Sequence, residues 1–244
     1  MRPCGPVPVT AFRSTPSSFA TRRATGLART PATSSAVSCE GEAWGGEEVI
    51  RRHVAMVQEG EVTSVLAGDE PGRLTRIFER PGRLRVNILY PGSQGQEQRI
   101  VDGARAWRDG EEVSGTPSAG AMSLQAARLD LPWMLMQARD ALVDGGEVER
   151  DGRHLHALTV PLTPEASVTA EIDPATGLVS RSVARYQTPR GAVEFVTEYS
   201  DHRTVDGQKV PFREVNWAQG RRTGTTVLRR VEFLREAPTG AFEP

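Results

Sequence analysis

From Leu74 to Leu234, turn chemistry recurs about every eight to twelve residues, and this rhythm constrains the fold more than any other feature of the chain. Asp102-Gly103, a dipeptide suited to a two-residue hairpin, separates segments 98–101 and 104–108. Arg80-Pro81-Gly82 likewise separates 74–79 from 84–90. Within 84–90, Leu84, Val86, Ile88 and Tyr90 alternate with Arg83, Arg85 and Asn87, so one strand face is buried and the other wet. Four consecutive strands joined by tight turns make an antiparallel meander. The same texture returns at 147–150, 154–162, 167–173, 178–187, 192–199, 210–219 and 225–234. The turns between them include Asp151-Gly152, Asp173-Pro174-Ala175-Thr176-Gly177, Pro189-Arg190-Gly191 and Asp206-Gly207.

Two stretches interrupt the strands. Gly45 or Gly46 can cap a helix opening on Glu47 and Glu48, with Ile50, Val54 and Val57 as its apolar stripe and the Glu59-Gly60 break as its end. Asp130 can cap a second helix over 131–143, with Pro132 in its first turn and Gly145-Gly146 ending it. Its stripe is Leu131, Met134, Leu135, Ala138 and Leu142, and Trp133 and Met136 widen it, so this helix is buried on several sides or lies over a cavity. The small-residue run 115–120 before it reads as a loop. The fold class is therefore mainly β (α+β): one antiparallel curved sheet of about eleven strands with helices against its concave face.

Charge divides the chain in two. Residues 1–39 contain Arg2, Arg13, Arg22, Arg23 and Arg29 and no acid, a charge of +5; the whole chain is 30 − 31 = −1, so residues 40–244 carry −6. An acidic body argues against a nucleic-acid surface, which needs a concentrated basic patch. Residues 1–42 are expected to be a basic leader, disordered, processed, or the result of a start placed too far upstream, and 43–244 the folded domain. The leader lacks the apolar core of a secretory signal, and no run approaches the ~20 apolar residues of a membrane span. Both cysteines, Cys4 and Cys39, lie in it; Ala36-Val37-Ser38-Cys39 resembles a lipoprotein cleavage box without the apolar run that should precede one, which leaves lipidation of Cys39 open.

Catalytic patterns are scarce. His154 and His156 share a strand face and could chelate a metal, but no third ligand is near in sequence, and His53 and His202 have no visible partner. Thr116-Pro117-Ser118-Ala119-Gly120 lacks the first glycine of a serine-hydrolase elbow. No phosphate loop, zinc helix or calcium loop occurs, and no cofactor is expected. The tryptophans carry more information: Trp44, Trp107, Trp133 and Trp217 each read individually as core anchors, and Trp107 and Trp133 together with Phe78, Met134 and Met136 would also suit an adaptable apolar pocket.

Several motifs, in order and spacing, resemble the LolA/LolB superfamily of outer-membrane lipoprotein-sorting proteins. They are Ile77-Phe-Glu-Arg-Pro-Gly-Arg-Leu-Arg-Val86, Ile100-Val-Asp-Gly-Ala-Arg-Ala-Trp107, Ile172-Asp-Pro-Ala-Thr-Gly-Leu178, Tyr199-Ser-Asp-His-Arg-Thr-Val-Asp-Gly-Gln-Lys-Val-Pro-Phe212 and the close Phe242-Glu-Pro244. The resemblance covers roughly 43–244. It implies an incomplete β-barrel whose apolar concave side is covered by helices, in a non-enzymatic periplasmic protein involved in outer-membrane biogenesis that binds a lipid or the acyl chain of a lipidated protein. A membrane-associated protein partner is the other class of partner it implies. The arginine of the family's Arg-Pro turn helps hold the helical lid closed, and the matching residue is Arg80. The binding residues expected on this basis are Phe78, Arg80, Leu84, Val86, Ile88, Trp107, Leu131, Trp133, Met134 and Leu135. The alternative is an interaction or envelope-stress sensor module of the same fold with its cavity filled by side chains. A hydrolase built from scattered carboxylates and His154 or His156 is a third reading, which a cleft holding a histidine and carboxylate of strongly shifted pKa would mark.

Overall fold

A computed structural model describes residues 42–92, 95–189 and 191–244. The expectations for residues 1–41, the Cys39 question among them, lie outside the described residues. Thirteen strands form one sheet in the order β6-β5-β4-β3-β2-β1-β13-β12-β11-β10-β9-β8-β7, with every neighbouring pair antiparallel. The N-terminal meander is β1 (Ala55–Ser64), β2 (Pro71–Glu79), β3 (Arg83–Leu89), β4 (Gln96–Asp102), β5 (Arg105–Arg108) and β6 (Glu111–Glu112). The C-terminal meander is β7 (Val143–Arg150), β8 (Arg153–Thr163), β9 (Ala166–Ile172), β10 (Val179–Thr188), β11 (Gly191–Val205), β12 (Gln208–Ala218) and β13 (Arg221–Leu234). All neighbours are consecutive in sequence except β1 and β13, whose pairing welds the two meanders together.

This connectivity places the helices. The chain leaves the sheet at one edge, β6, and re-enters at the other, β7, so the connection must cross the sheet. It does so as two helices, α2 (Pro117–Leu129) and α3 (Leu131–Gln137), with α1 (Glu47–Arg52) touching α3. A sheet this wide curls under its own twist, and α2 packs into the concavity. Met56, Phe78, Leu84, Val101 and Ala106 are paired in register across β1 to β5, and Ala119, Met122 and Ala126 of α2 pack on that row. On the other half, Leu131, Leu135 and Met136 of α3 pack with Leu158, Val168 and Ala170.

Four expectations change. The stripe Ile50, Val54, Val57 is not one helix: α1 stops at Arg52 and β1 begins at Ala55, because this segment finds hydrogen-bonded strands on both sides, β2 and β13. With β6, this accounts for thirteen strands rather than about eleven. Residues 115–120 are not a loop throughout: Thr116 caps α2, its side chain accepting from the Ala119 N–H at 3.3 Å, and Pro117 occupies the first turn. Gly120 lets α2 approach the Tyr186 ring closely, since a Cβ there would lie 3.2 Å from it and the ring would have to shift slightly. The second helix ends at Gln137 rather than 143, since Gly145 and Gly146 belong to a bulge in β7 and not to a helix stop. Trp107 does not join Trp133. Ile77, Arg85, Ile100 and Trp107 form a register row on the convex face, and Ile100 and Trp107 are covered there by Ala241 and Phe242 of the C-terminal segment. Arg83 stacks on Phe242 at 4.3 Å, Arg85 donates to the Glu243 carbonyl at 2.8 Å, and Glu79 accepts from the Ala237 N–H at 2.7 Å.

The fully buried Leu84 is the centre of the inner row. Leu84→Ala is expected to lower unfolding free energy by about 2–5 kcal/mol, read as a lower urea midpoint at unchanged slope.

Candidate functional site

The concave face is not uniformly apolar. Along β2 the inward positions are Gly72, Leu74, Arg76 and Phe78, so an arginine falls in phase with the buried side chains. Gln58 on β1 and Glu214 on β12 fall inward in the same way. Arg76 is only 3% exposed, and its guanidinium donates from Nη2 to Glu214 Oε1 at 2.6 Å, from Nη1 to Oε2 at 3.2 Å, and from Nε to Gln58 Oε1 at 2.6 Å. Burial opposes charge on Glu214, but Arg76, with help from Arg128, outweighs it and holds the carboxyl below its usual range. Nearby, burial raises the Tyr199 hydroxyl, which lies 2.8 Å from Ser182 Oγ.

Two cavities flank this network. One, of about 60 Å³, lies under the junction of α2 and α3 and is lined by Phe78, Arg80, Leu131 and Tyr199 among others. The other, of about 290 Å³, opens between β1–β4, α2 and the ends of β11–β13 and is lined by Leu74, Val86, Ile88, Tyr90 and Met122 among others. Arg76, Gln125, Arg128 and Glu214 line both, forming a polar waist between them.

Above the smaller cavity Arg80 ties the helices to the sheet. Its backbone N–H bonds the Val54 carbonyl at 3.0 Å, which fixes the root of the side chain. Its Nε donates to Asp130 Oδ1 at 2.7 Å and its Nη1 to the Ile50 carbonyl at 2.8 Å, and its guanidinium lies 4.4 Å from the Trp133 ring centre. One residue of a sheet turn thus holds α1, the α2–α3 junction and α3. Asp130 makes no cap bond with its side chain, contrary to expectation, because Arg80 engages it. His53 closes the opposite wall, stacked on Phe233 at 4.0 Å with Nδ1 2.8 Å from Gln208 Oε1, and burial lowers its pKa.

The expected binding residues therefore separate. Phe78, Arg80 and Leu131 line the smaller cavity, and Val86 and Ile88 the larger. Leu84 is packed against its neighbours in the inner row. Trp133, Met134 and Leu135 pack in the α3 cluster rather than lining either cavity, and Trp107 lies on the opposite face. Arg76, Glu214, Gln58 and Arg128 were missed, although the first three carry a visible signal: a polar residue in phase with apolar alternation. His154 and His156 each face a carboxylate, Glu147 at 2.6 Å and Asp144 at 3.0 Å, and no three metal-binding side chains converge among the described residues. No helix among those residues is long and apolar enough to cross a membrane.

No protein-family profile matches the chain, and no curated protein matches its sequence. A solved LolA superfamily protein from Nitrosomonas europaea superposes with a TM-score of 0.54 at 9% identity, over 86% of this chain and 97% of that one. The fold is LolA-like. Also similar are a domain named for outer membrane lipoprotein sorting from Vibrio parahaemolyticus (TM-score 0.49, 10% identity, 86% of this chain and 95% of that one) and a DUF1329 family protein from Desulfovibrio piger (TM-score 0.46, 13% identity, 88% and 98%). In this LolA-like sheet the helical cover, the turn arginine beneath it and the two cavities occupy the concave side.

Burial pushes the Asp130 carboxyl from 3.8 up to about 7, against the pull of the adjacent Arg80. In an opened form, with Asp130 in water, the carboxyl returns toward its ordinary value, so closure takes up a proton between about pH 4 and pH 7. Closure is therefore favoured at low pH, weakens as pH rises through that window and levels off above about 7. Amide exchange in α2 and α3, corrected for intrinsic rates, should be slower at pH 5 than at pH 8, and Asp130→Asn should flatten the difference.

Proposed function

We propose that the protein is an extracytoplasmic, periplasmic carrier or binding protein for a lipid or for the acyl chain of a lipidated protein, working in outer-membrane lipoprotein transport and performing no catalysis. The observation that carries this reading is the 290 Å³ cavity on the concave side of an open sheet, walled by apolar side chains along β2 and β3 and by charged ones at its waist, beneath α2, whose end the Arg80 latch ties down. Its volume is close to the lower end of small-molecule pockets, ~300 Å³. The smaller cavity beneath the latch becomes continuous with it if α2 and α3 lift, since the waist residues are common to both. Acyl burial at ~0.8 kcal/mol per methylene provides the driving force. The resemblance of the fold to lipoprotein-sorting proteins supports the same reading, and it is the source of the proposed location.

An interaction or envelope-stress sensor module bound to a membrane-associated protein is the second reading. It is favoured by the packed inner row around Leu84 and by the outer edge of β7, where Val143 is 57% exposed and no strand pairs on that side among the described residues.

Protein purified without detergent and extracted with organic solvent should yield a stoichiometric lipid by mass spectrometry. Val86→Trp, which fills the larger cavity, should reduce that lipid and uptake of a fluorescent hydrophobic probe at least severalfold, whereas Trp107→Ala, on the convex face, should leave both unchanged. A lipid-free protein that ignores added lipopeptide would overturn the carrier reading in favour of the interaction module.

A further inference from the structure

The waist between the cavities carries an uncompensated positive charge. Glu214 is already satisfied by the two-pronged contact from Arg76. Arg128, in the last turn of α2, approaches from the helix side, and its field reaches both Glu214 and Tyr199. It forms no ion pair among the described residues, and its Nε is buried without a hydrogen-bond partner. A desolvated guanidinium nitrogen with nothing to donate to is costly, and cavities tolerate one where a ligand supplies the acceptor. The charge balance of the wall points the same way. Arg76, Arg99, Arg108 and Arg128 face Glu97 and Glu214 around the larger cavity, 4 − 2 = +2, inside a body whose net charge is −6. Arg99 and Arg108 both engage Glu97, at 2.6 and 3.3 Å, so Arg128 is the cation of this wall left for a ligand.

We infer that the ligand of the concave cavity is an anionic amphiphile whose acidic head group, a carboxylate or a phosphate, is held by Arg128 at the waist while its chain lies along Val86, Ile88 and Met122. The inference rests on the carrier reading and adds the head-group chemistry to it. A guanidinium suits either oxyanion because its planar fork matches two acceptor oxygens at once. Arg76 and Gln58 hold the floor of the site rigid, and the Arg76–Glu214 pair keeps Arg76 itself from competing for the ligand.

The test compares dodecanoate, dodecyl phosphate and dodecanol, which share one chain, by calorimetric titration of the delipidated full-length protein. At least one of the anions should bind about tenfold or more tightly than dodecanol, a difference of about 1.4 kcal/mol. Tighter binding of dodecyl phosphate assigns a phospholipid-type head, and tighter binding of dodecanoate a free fatty acid. Arg128→Gln should bring the anions down to the affinity of dodecanol, and Arg128→Lys, which retains the charge without the fork, should keep part of the preference. Equal affinities in the wild type, or a preference that survives Arg128→Gln, would overturn the anionic head group and leave the carrier reading standing. Failure of all three compounds to bind would overturn both.

Discussion

Everything on the concave face depends on the pairing of β1 with β13. It brings Ala55 opposite Leu234 and Ser64 opposite Gly224, residues far apart in the chain, whereas every other pairing is a local hairpin. Without it there would be two meanders, each with a solvent-exposed inner face and unpaired edges. With it, Arg76 on one meander and Glu214 on the other stand within hydrogen-bonding distance, and the crossover from β6 to β7 is forced across a single concavity. Close approach at the seam is enforced by glycine: a Cβ at Gly60 would lie 2.3 Å from the Val227 carbonyl oxygen, and one at Gly224 2.2 Å from that of Thr63. The register slips between Glu59 and Gly60 at this point, which lets the strongly bent sheet stay hydrogen-bonded.

The ion pair at the seam is a costly way to hold two halves together. A buried Arg–Glu pair recovers its desolvation only with good geometry and further hydrogen bonds, and Arg76 has both, in two bonds to Glu214 and one to Gln58. Leucine or methionine at these positions would pack more simply and close the waist with apolar atoms. A polar waist keeps Arg128 surrounded by groups that tolerate charge, so the interior can receive a molecule with both a chain and a head. The same logic applies at the latch, where Asp130 is buried beside Arg80 and directional hydrogen bonds add to the apolar packing of α2 and α3 on the sheet. Directional bonds of this kind fix the orientation of the helix junction, which apolar packing alone leaves less specified.

Much of the sheet was legible because hairpin chemistry is local. Asp151-Gly152 and Asp206-Gly207 form the two-residue loops themselves, each residue at the positive φ such turns require, while Asp102 closes β4 and only Gly103 of that dipeptide takes a positive φ. What could not be read locally was decided by distant partners. Val54 and Val57 fit a helical stripe as well as they fit a strand, and only the presence of β13 on the far side of the sequence settles it. Trp107 shows the limit of pooling aromatic residues without faces: its neighbour Ala106 points inward and the tryptophan outward, a difference of one residue in register. Arg80 was found through a motif, Arg76 could have been found through its phase in β2, but nothing in the run around Arg128 distinguishes it from a solvated helical arginine.

Arg128 and Arg80 bracket the same helix junction, and this links loading to opening. Arg80 holds Asp130, two residues beyond Arg128, so the latch also fixes the end of α2 from which Arg128 reaches the waist. Any opening of the cover would take Arg128 away from Glu214 and Tyr199, and in the closed arrangement its Nε is buried without a hydrogen-bond partner. An acidic ligand in the cavity would supply the acceptor that the Arg128 Nε lacks and so add to the packing and latch bonds that already hold the helices down. If the cargo is anionic, as inferred above, its charge would favour the closed arrangement, because Arg128 sits on the helix that covers the cavity and the counter-charge would sit on the cargo.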